Sequence, residues 1–248
     1  MKVMIFDTET TSLDKPFCYN IGYVILDTET EETLLKRDYV VEQVWHNLPL
    51  FQSAYYAEKR PIYVQRMRAR QTVMDKFGYI CRQMMRDLKE YGIEHAYAYN
   101  SSFDEKVFDF NCDWYKCSNP FDTIQVHDIR GYVHHFIVDY KYKSFCEANN
   151  LFTDNGNYST TAEAVYRYLT MTDFTEEHTA LADSIIEAEI LLATIHKGAN
   201  ILKDEQVFRS IERVVEKTLH IRTPEQTDYY FNYEKIRINK DRTEITLR

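Results

Sequence analysis

The chain has 248 residues, of which 44% are hydrophobic and 28% are charged. This balance is typical of a globular domain with enough apolar side chains to bury a core. Only six Gly and five Pro residues occur, which excludes a collagen-like chain or a long disordered linker. The formal net charge of −9 argues against a generally basic nucleic-acid-binding protein.

The apolar segments and the cysteines predict the compartment. No apolar run approaches the roughly 20 residues that cross a bilayer, so no membrane partner is expected. The first apolar strand lacks the basic region and long apolar core of a secretory signal. The five cysteines are an odd number spread along the chain. They predict reduced thiols and a cytoplasmic location rather than a disulfide framework.

Strand patterns and helix patterns alternate along the chain. Short apolar or alternating runs predict strands over residues 2–6, 19–26, 33–42, 94–99 and 121–126. Helical periodicity predicts helices over residues 64–91, 103–110, 144–150, 160–169, 179–196 and 204–219. Residues 235–239 and 243–247 are expected to form a terminal hairpin. Interleaved strands and helices favour an α/β fold with a central sheet flanked by helices.

Two carboxylates follow the first predicted strand. Asp7 and Glu9 are two positions apart, and alternate residues of an extended segment point to the same side. Open α/β sheets bind ligands beyond the carboxyl ends of their strands, so both carboxylates are expected to face one site. An Asp-x-Glu pair alone is more often an acidic turn.

Further acids and a histidine lie at the starts of two predicted helices. Asn100 and Asp104 follow a strand, where an acidic residue would by itself stabilise the helix dipole. His178 precedes the most apolar predicted helix, and Asp183 lies in its first two turns. Because the neighbours of Asp183 are small or apolar, its carboxylate would lose solvation unless something pairs with it.

In this order, the segments resemble the three motifs of the DEDDh branch of the DEDD 3′–5′ exonucleases, the DnaQ-like or RNase T-like group. Residues 6–13 (Phe-Asp-Thr-Glu-Thr-Thr-Ser-Leu) are similar to the first motif, and residues 99–104 (Tyr-Asn-Ser-Ser-Phe-Asp) to the second. His178 followed by Asp183 resembles the third. Residues 121–123 (Phe-Asp-Thr) resemble a segment that the family carries between the last two motifs. The resemblance covers about residues 1–197.

The sequence departs from the family pattern in three places. Ser12 stands where members usually have Gly, and Tyr99 where many have His. A His-Gly-Ile-Thr-like segment often follows the third strand in the family, whereas a basic stretch follows Trp45 here. The resemblance therefore does not predict how a substrate approaches, although the catalytic set is complete.

The resemblance implies a ribonuclease H-like fold and a two-metal mechanism. The implied metal ligands, which would hold two Mg²⁺ ions with Mn²⁺ as a substitute, are Asp7, Glu9, Asp104 and Asp183. In the family arrangement Asp7 bridges both ions, Glu9 and Asp183 complete one site, and Asp104 holds the second ion. His178 would accept a proton from the attacking water, which suits a group that titrates near neutral pH.

Several residues are predicted to contact the substrate. They are Thr8, Thr10, Leu13, Arg66, Arg70, Asn100 and Phe103. Leu13 would act as a wedge under the terminal base or simply pack in its loop. Residues 59–89 contain nine basic residues and only two acidic ones. This excess of positive charge favours a surface that contacts the phosphates of a nucleic acid over a helix that is merely solvated. Arg66 and Arg70 are four positions apart, so on one helix they share the face that would contact phosphates.

Two other kinds of site are less favoured. A zinc site is suggested by several thiols and imidazoles, but the Cys-x₄-Cys spacing is loose and no second compact pair follows. The residues concerned are Cys112, Cys117, His127, His134, His135 and Cys146. Ser101 and Ser102 with His178 suggest a serine hydrolase, yet no Gly-x-Ser-x-Gly elbow occurs.

The sequence thus predicts an exonuclease domain over residues 1–197 and a C-terminal helix plus β-hairpin extension over residues 198–248. The predicted activity releases nucleoside 5′-monophosphates from the 3′ end of single-stranded nucleic acid, with DNA favoured over RNA. The alternatives are a catalytically silent binding module and a proofreading module, like the epsilon subunit of DNA polymerase III, whose partner is a polymerase. The oligomeric state stays open.

Overall fold

A computed structural model describes residues 1–207, 210–213, 217–222, 228–233, 236–238 and 245–247, with side chains described for the first two ranges. The strands are β1 (Lys2–Thr10), β2 (Cys18–Asp27), β3 (Glu32–Val41), β4 (Val73–Asp75), β5 (His95–Ala98), β6 (Gln125–Asp128), β7 (Lys217–Arg222), β8 (Asp228–Tyr233), β9 (Ile236–Ile238) and β10 (Ile245–Leu247). The helices are α1 (Glu42–Trp45), α2 (Leu48–Gln52), α3 (Arg60–Arg68), α4 (Phe77–Tyr91), α5 (Ser101–Tyr115), α6 (Ile129–Ile137), α7 (Tyr140–Asn149), α8 (Ala162–Thr170) and α9 (Ala180–His196).

The described elements build a mixed six-stranded sheet in the order β4-β3-β2-β1-β5-β6. The β1–β2 and β2–β3 pairs are antiparallel, whereas β1–β5, β5–β6 and β3–β4 are parallel. Helices flank this sheet. The expected α/β architecture with a central mixed sheet is therefore confirmed.

The alternation of β1 divides the core into two sides. Met4 and Phe6 join a buried cluster with α4 and α5, whereas Val3 and Ile5 join a second cluster with α6 and α9. Since successive strand residues point to opposite faces, Asp7 continues the face of Val3 and Ile5. This alternation places the acidic end of β1 opposite α9.

The predicted helix over residues 64–91 is wrong. The chain forms α3, then the short edge strand β4, then α4. Arg70 has a φ of +58°, so the backbone reverses after α3 and leads into β4, which pairs with β3. Pairing at the sheet edge overrides a helical pattern that relied on residues such as Met74, which is exposed.

Other boundaries also differ from the prediction. The strand expected from residue 121 begins at Gln125, because residues 121–124 form a turn. The helix expected to open at Thr160 begins after Thr161, whose hydroxyl accepts a hydrogen bond from the Ala164 amide. The sequence patterns did not predict α6, which follows β6 directly. None of the helices in the described residues is long and apolar enough to span a membrane.

The predicted helix over residues 204–219 is also wrong where the structure describes it. Residues 204–207 and 210–213 are not helical, and residues 217–219 belong to β7. The Ile211 carbonyl accepts a hydrogen bond from the Tyr158 amide at 3.1 Å, and Arg213 forms an ion pair with Glu147. These contacts hold the chain against the domain in a non-helical course. Strands β9 and β10 pair antiparallel, as the hairpin prediction requires, although residues 235, 239, 243 and 244 lie outside the described residues.

Candidate active site

Three carboxylates converge between β1 and α9. Asp7 and Glu9 lie on β1, and Asp183 lies in the first turn of α9. One ligand oxygen from each lies within 4.8 Å of the others. The structure thus brings together carboxylates from the first and third of the sequence segments.

The approach of α9 to β2 positions Asp183. A Cβ added to Gly22 would lie 2.0 Å from the Leu181 amide nitrogen, so glycine is required for this close contact. The Ser184 hydroxyl donates to the Gly22 carbonyl at 3.0 Å. The Ala180 amide donates to the Asn20 side chain at 2.8 Å, which satisfies one of the free amides at the helix N-terminus. The sequence did not point to Gly22 or Asn20.

Asp104 reaches the same region from α5. The Thr8 hydroxyl donates to Asp104 Oδ1 at 2.6 Å, and both side chains are buried. Asn100 adopts a left-handed conformation with a φ of +70°, and its amide donates to Asp128 at 2.8 Å. This turn starts α5 next to the end of β1, so Asp104 occupies its inner face.

Burial and mutual repulsion dominate the electrostatics of the site. Desolvation raises the pKa of Asp104 to about 7 and that of Glu9 to about 8. Burial, followed by the charges of Glu176 and Glu9, raises the pKa of Asp183 to about 9. Burial also raises the pKa of Asp7 well above its usual range, with Asp104 the next cause. Such groups hold protons unless cations replace them.

A further carboxylate that the sequence analysis missed lies behind these ligands. Glu187 is 3% exposed and sits one helical turn after Asp183. Its side chain accepts a hydrogen bond from the Tyr99 amide at 3.1 Å. Burial raises its pKa well above the usual range, and the charges of Asp104 and Asp183 add to this. An acid four positions after Asp183 on an apolar helix was the available signal.

The residues present fit a divalent cation. Oxygen ligands are what Mg²⁺ prefers, and Asp7, Glu9 and Asp183 supply three in one place. Asp183 Oδ1 is buried and accepts no hydrogen bond from the described residues. An unpaired buried carboxylate oxygen is costly, and a cation would remove that cost.

His178 lies on a loop that precedes α9 and has a φ of +52°. The Tyr56 ring stacks on its imidazole with centroids 4.6 Å apart and planes 11° apart. His178 Nδ1 lies 3.5 Å from Glu176 Oε2, and Glu163 also lies in this cluster. Burial, followed by the charge of Lys59, lowers the pKa of His178. A neutral imidazole at neutral pH is the form that accepts a proton.

Two basic side chains from residues 59–89 hold the loop that carries His178 in place. Arg66 donates to Glu177 Oε1 at 2.6 Å and to the Thr179 hydroxyl at 3.0 Å. The Lys59 ammonium donates to the Glu177 carbonyl and lies over the Tyr56 ring. The sequence did not predict that these cations would be used inside the protein.

The residues predicted to contact the substrate differ in exposure and in the hydrogen bonds they make within the protein. Leu13 is 85% exposed, as a wedge would require, and the Thr10 hydroxyl donates within its own loop. The Thr8 hydroxyl is used by Asp104, and Phe103 packs partly against the core. The prediction that Arg66 and Arg70 share a helix face is wrong, because α3 ends at Arg68 and Arg70 has a left-handed backbone. Their contact with phosphates stays a prediction.

The alternative sites do not assemble as the sequence suggested. Cys146 belongs to the core cluster on the α6–α9 side, whereas Cys112 belongs to the α4–α5 side. His127 hydrogen-bonds instead with His95 at 3.0 Å and Glu205 at 2.8 Å. The Ser101 hydroxyl donates to Glu105. Neither the zinc set with histidines nor a Ser–His pair is therefore formed among the described residues.

No protein-family model and no curated protein matches the chain, but solved structures do. The nuclease domain of 3′hExo, a DEDDh family member bound to rAMP, has a TM-score of 0.57 and 15% identity over 85% of this chain and 97% of its own. A full-length 3′-exonuclease has a TM-score of 0.57 and 15% identity over 81% of this chain and 84% of its own. The chain has the fold of the DEDDh exonucleases.

A larger enzyme shares the same fold over part of its length. E. coli exonuclease I in complex with a dT13 oligonucleotide has a TM-score of 0.50 and 14% identity over 79% of this chain and 41% of its own. The fold resemblance inferred from the sequence motifs is thus confirmed. Asp7 and Glu9 lie near the carboxyl end of β1, the kind of sheet edge at which open α/β sheets bind ligands.

Proposed function

We propose that the protein is a metal-dependent 3′–5′ exonuclease that removes nucleoside 5′-monophosphates from single-stranded nucleic acid, with DNA the favoured substrate. The observation that carries the proposal is the convergence of Asp7, Glu9 and Asp183 within 4.8 Å beside the buried Asp104. The DEDDh fold supports it, because the solved structures with this fold are described as nucleases.

Asp7, Glu9 and Asp183 would hold one Mg²⁺ ion, and Asp7 with Asp104 would hold the second. Two such ions supply an activated water and stabilise the leaving alkoxide. Thr8 fixes Asp104 by its short hydrogen bond, and the Tyr19 hydroxyl donates to Glu9 at 3.3 Å. These bonds hold the carboxylates in place before any substrate arrives, which reduces the cost of assembling the site.

His178 would accept the proton of the attacking water. Its lowered pKa keeps the imidazole neutral at neutral pH, and stacking on Tyr56 restricts the orientation of its ring. Loss of a general base typically slows a reaction by about 10²–10⁴-fold. We expect His178→Ala to show such a loss in kcat while Mg²⁺ binding changes little. A wild-type rate for His178→Ala from about pH 6 to about pH 9 would contradict this role.

Substrate binding is assigned to exposed groups near the carboxylates. Leu13 is 85% exposed beyond the end of β1 and would separate the terminal base from its neighbour. A single strand with an unstacked 3′ end suits this arrangement, since bases stack readily on apolar and aromatic side chains.

We extend the proposal to a cytoplasmic location, in keeping with five free cysteines.

We also propose that residues 1–197 form the catalytic domain and that the following segment supports it. The Ile201 carbonyl accepts hydrogen bonds from the hydroxyls of Tyr97 and Tyr132. Glu205 accepts a hydrogen bond from the Asp128 amide. The segment therefore braces β5, β6 and α6, which lie next to β1 and to the start of α5.

A direct assay tests the activity. Oligonucleotides labelled at the 5′ end, as single-stranded DNA, duplex DNA and RNA, are incubated with Mg²⁺, with Mn²⁺ and with a chelator. We expect a descending ladder with either ion, fastest on single-stranded DNA, and none with the chelator or with Asp7→Asn. Binding without hydrolysis would instead support the alternative of a silent or polymerase-associated module. Release of a labelled mononucleotide as the first product would indicate the opposite polarity.

A further inference from the structure

Three cysteines meet between α4 and α5, away from the carboxylates. Cys81 lies in α4 and is fully buried, and Cys112 lies in α5 and is 6% exposed. Cys117 follows α5 and is partly exposed. The three Sγ atoms all lie within 4.8 Å of one another. Cys81 is far from the other two in sequence, so the Cys-x₄-Cys spacing alone did not reveal this cluster.

The turn at the end of α5 brings the third thiol into place. Lys116 has a φ of +54°, and the Cys117 amide donates to the Cys112 carbonyl at 3.0 Å. A left-handed backbone is unfavourable for lysine, so surrounding contacts must hold it. A Cβ added to Gly78 would lie 3.3 Å from the Cys117 Cβ. Glycine at this position therefore lets Cys117 lie close against α4.

Two cations border the cluster, and its three thiols differ in pKa. A surface cavity of about 530 Å³ borders Cys117 and is also lined by Arg82, Lys116 and Ser118. Neighbouring cations stabilise thiolates. The pKa of Cys112 is lowered, chiefly because the Cys81 thiol hydrogen-bonds to it. The same hydrogen bond, with burial, raises the pKa of Cys81, and burial raises the pKa of Cys117 to about 11. A cation that binds sulfur would have to displace these protons. Two positive side chains thus offset part of the charge that a cluster of thiolates would carry.

We propose that Cys81, Cys112 and Cys117 form a thiolate site for a soft divalent cation of the Zn²⁺ type. Sulfurs bound to one Zn²⁺ at about 2.3 Å lie about 3.8 Å apart in a tetrahedral site. The distances between the three Sγ atoms, all within 4.8 Å, would therefore shorten by about 1 Å or less when the ion binds. Zn²⁺ prefers four ligands, and the cavity beside Cys117 has room for a water as the fourth. The carboxylate site, in contrast, offers the oxygen ligands that suit Mg²⁺.

A cation at this site would join α4 to α5. Cys112 lies roughly two turns after Asp104 on the same helix. The ion would therefore fasten the helix that presents one of the catalytic carboxylates, without touching the substrate. Its role would be structural, so its loss would lower stability before it altered the chemistry of cleavage.

Cobalt spectroscopy separates thiolate ligands from carboxylates. The full chain is reduced with a phosphine, stripped of metal, and titrated with Co²⁺ in excess Mg²⁺, which occupies the carboxylates. We expect a thiolate-to-Co²⁺ charge-transfer band that saturates at one equivalent and is displaced by Zn²⁺. Absence of that band in the wild-type chain overturns the proposal and leaves the three thiols as ordinary packing groups.

Variants assign the band to the cluster. Cys117→Ser is the main test because Cys117 is partly exposed and the change is small, and Cys146→Ser is the matched control on the other side of the sheet. The band should be lost or weakened at least tenfold in Cys117→Ser and kept in Cys146→Ser. Zn²⁺ in a hundredfold excess over its Kd should raise the Tm of the wild-type chain by about 5–10 °C but not that of Cys117→Ser. An unchanged band in Cys117→Ser would overturn the assignment.

Discussion

The Tyr56 ring lies parallel to the His178 imidazole, with centroids 4.6 Å apart and planes 11° apart. The two residues come from distant parts of the chain, one between α2 and α3 and the other before α9. Lys59 ties the two segments together, since its ammonium lies over Tyr56 and donates to the carbonyl of Glu177. The stacked pair thus fixes the side chain that we assign as the base.

Removing the stacked ring should slow catalysis more than it weakens binding. In Tyr56→Ala, His178 loses the stacked ring, although Glu176 and Glu163 still lie beside its imidazole, and a misplacement of about 1 Å can cost about 10²-fold in rate. We expect kcat to fall by roughly ten- to a hundredfold, with KM little changed. Steady-state kinetics on a single-stranded oligonucleotide give both constants.

Two control variants make this result specific. Tyr56→Phe keeps the ring and should retain near-normal kcat, whereas Tyr55→Ala removes a neighbouring aromatic that is 85% exposed. If Tyr56→Ala and Tyr55→Ala both raised KM and left kcat unchanged, the tyrosines would contact bases, and the stacking on His178 would be incidental.

The sequence pointed to the candidate carboxylates and to His178 but not to the residues that position them. Motifs report side chains that must have one chemistry, and Asp7, Asp104 and Asp183 are of that kind. Gly22 and Asn20 act through a close backbone approach and a helix-capping contact, which have no sequence period. The helix predicted over residues 64–91 was wrong for a related reason: edge pairing of β4 with β3 is a long-range contact that overrides local propensity.

Stability of the metal-free protein should depend on pH in an unusual direction. Burial raises the pKa values of Asp104, Glu9 and Asp183 to about 7, 8 and 9, whereas unfolded carboxyls titrate near 4. Groups with raised pKa values contribute stability that is present at low pH and lost as the pH rises through those values. Asp104 alone titrates about two pH units above pH 5, so between about pH 5 and about pH 9 the chain should lose at least about 3 kcal/mol without metal.

Thermal unfolding in a chelator, repeated with Mg²⁺, measures this dependence. The Tm should fall by at least about 6 °C over that range in the chelator and clearly less with Mg²⁺. Asp183→Asn should flatten the metal-free profile, whereas the exposed control Asp113→Asn should follow the wild type. A metal-free Tm that rose with pH would show that these carboxylates are ionised in the folded chain.

Arg66 distinguishes a loop-fastening role from a phosphate contact. Its guanidinium donates to Glu177 at 2.6 Å and to Thr179 at 3.0 Å. If it holds the His178 loop, Arg66→Ala and Glu177→Ala should each lower kcat about tenfold, and the double variant should be no worse than either, because pair effects are not additive. Kinetics of the three variants complete a double-mutant cycle.

Oligonucleotide binding measured at several salt concentrations tests whether Arg66 or Arg70 contacts phosphates instead. A phosphate contact contributes about −0.7 to the salt slope on a single strand. Arg70→Ala, which lies beyond α3 and is exposed, should flatten the slope by this amount if the prediction from the basic stretch holds. If Arg66→Ala flattened the salt slope and Glu177→Ala left kcat unchanged, Arg66 would contact phosphates instead of holding the His178 loop.

Gly22 should be indispensable for metal binding although it carries no side chain. A Cβ there would lie 2.0 Å from the Leu181 amide nitrogen and 2.2 Å from the Ala180 carbonyl carbon. Because both atoms are backbone, Gly22→Ala must displace the first turn of α9, which carries Asp183. We expect a loss of at least about 1–3 kcal/mol in stability and a fall of about tenfold or more in Mg²⁺ affinity, measured by calorimetry below the lowered Tm.

Gly92→Ala is the control, since its Cβ would meet no atom within 4 Å. Because Gly92 has a φ of +67°, this change should cost roughly 1 kcal/mol in stability without changing Mg²⁺ affinity. Wild-type Mg²⁺ affinity in Gly22→Ala would mean that the contact between α9 and β2 does not position Asp183.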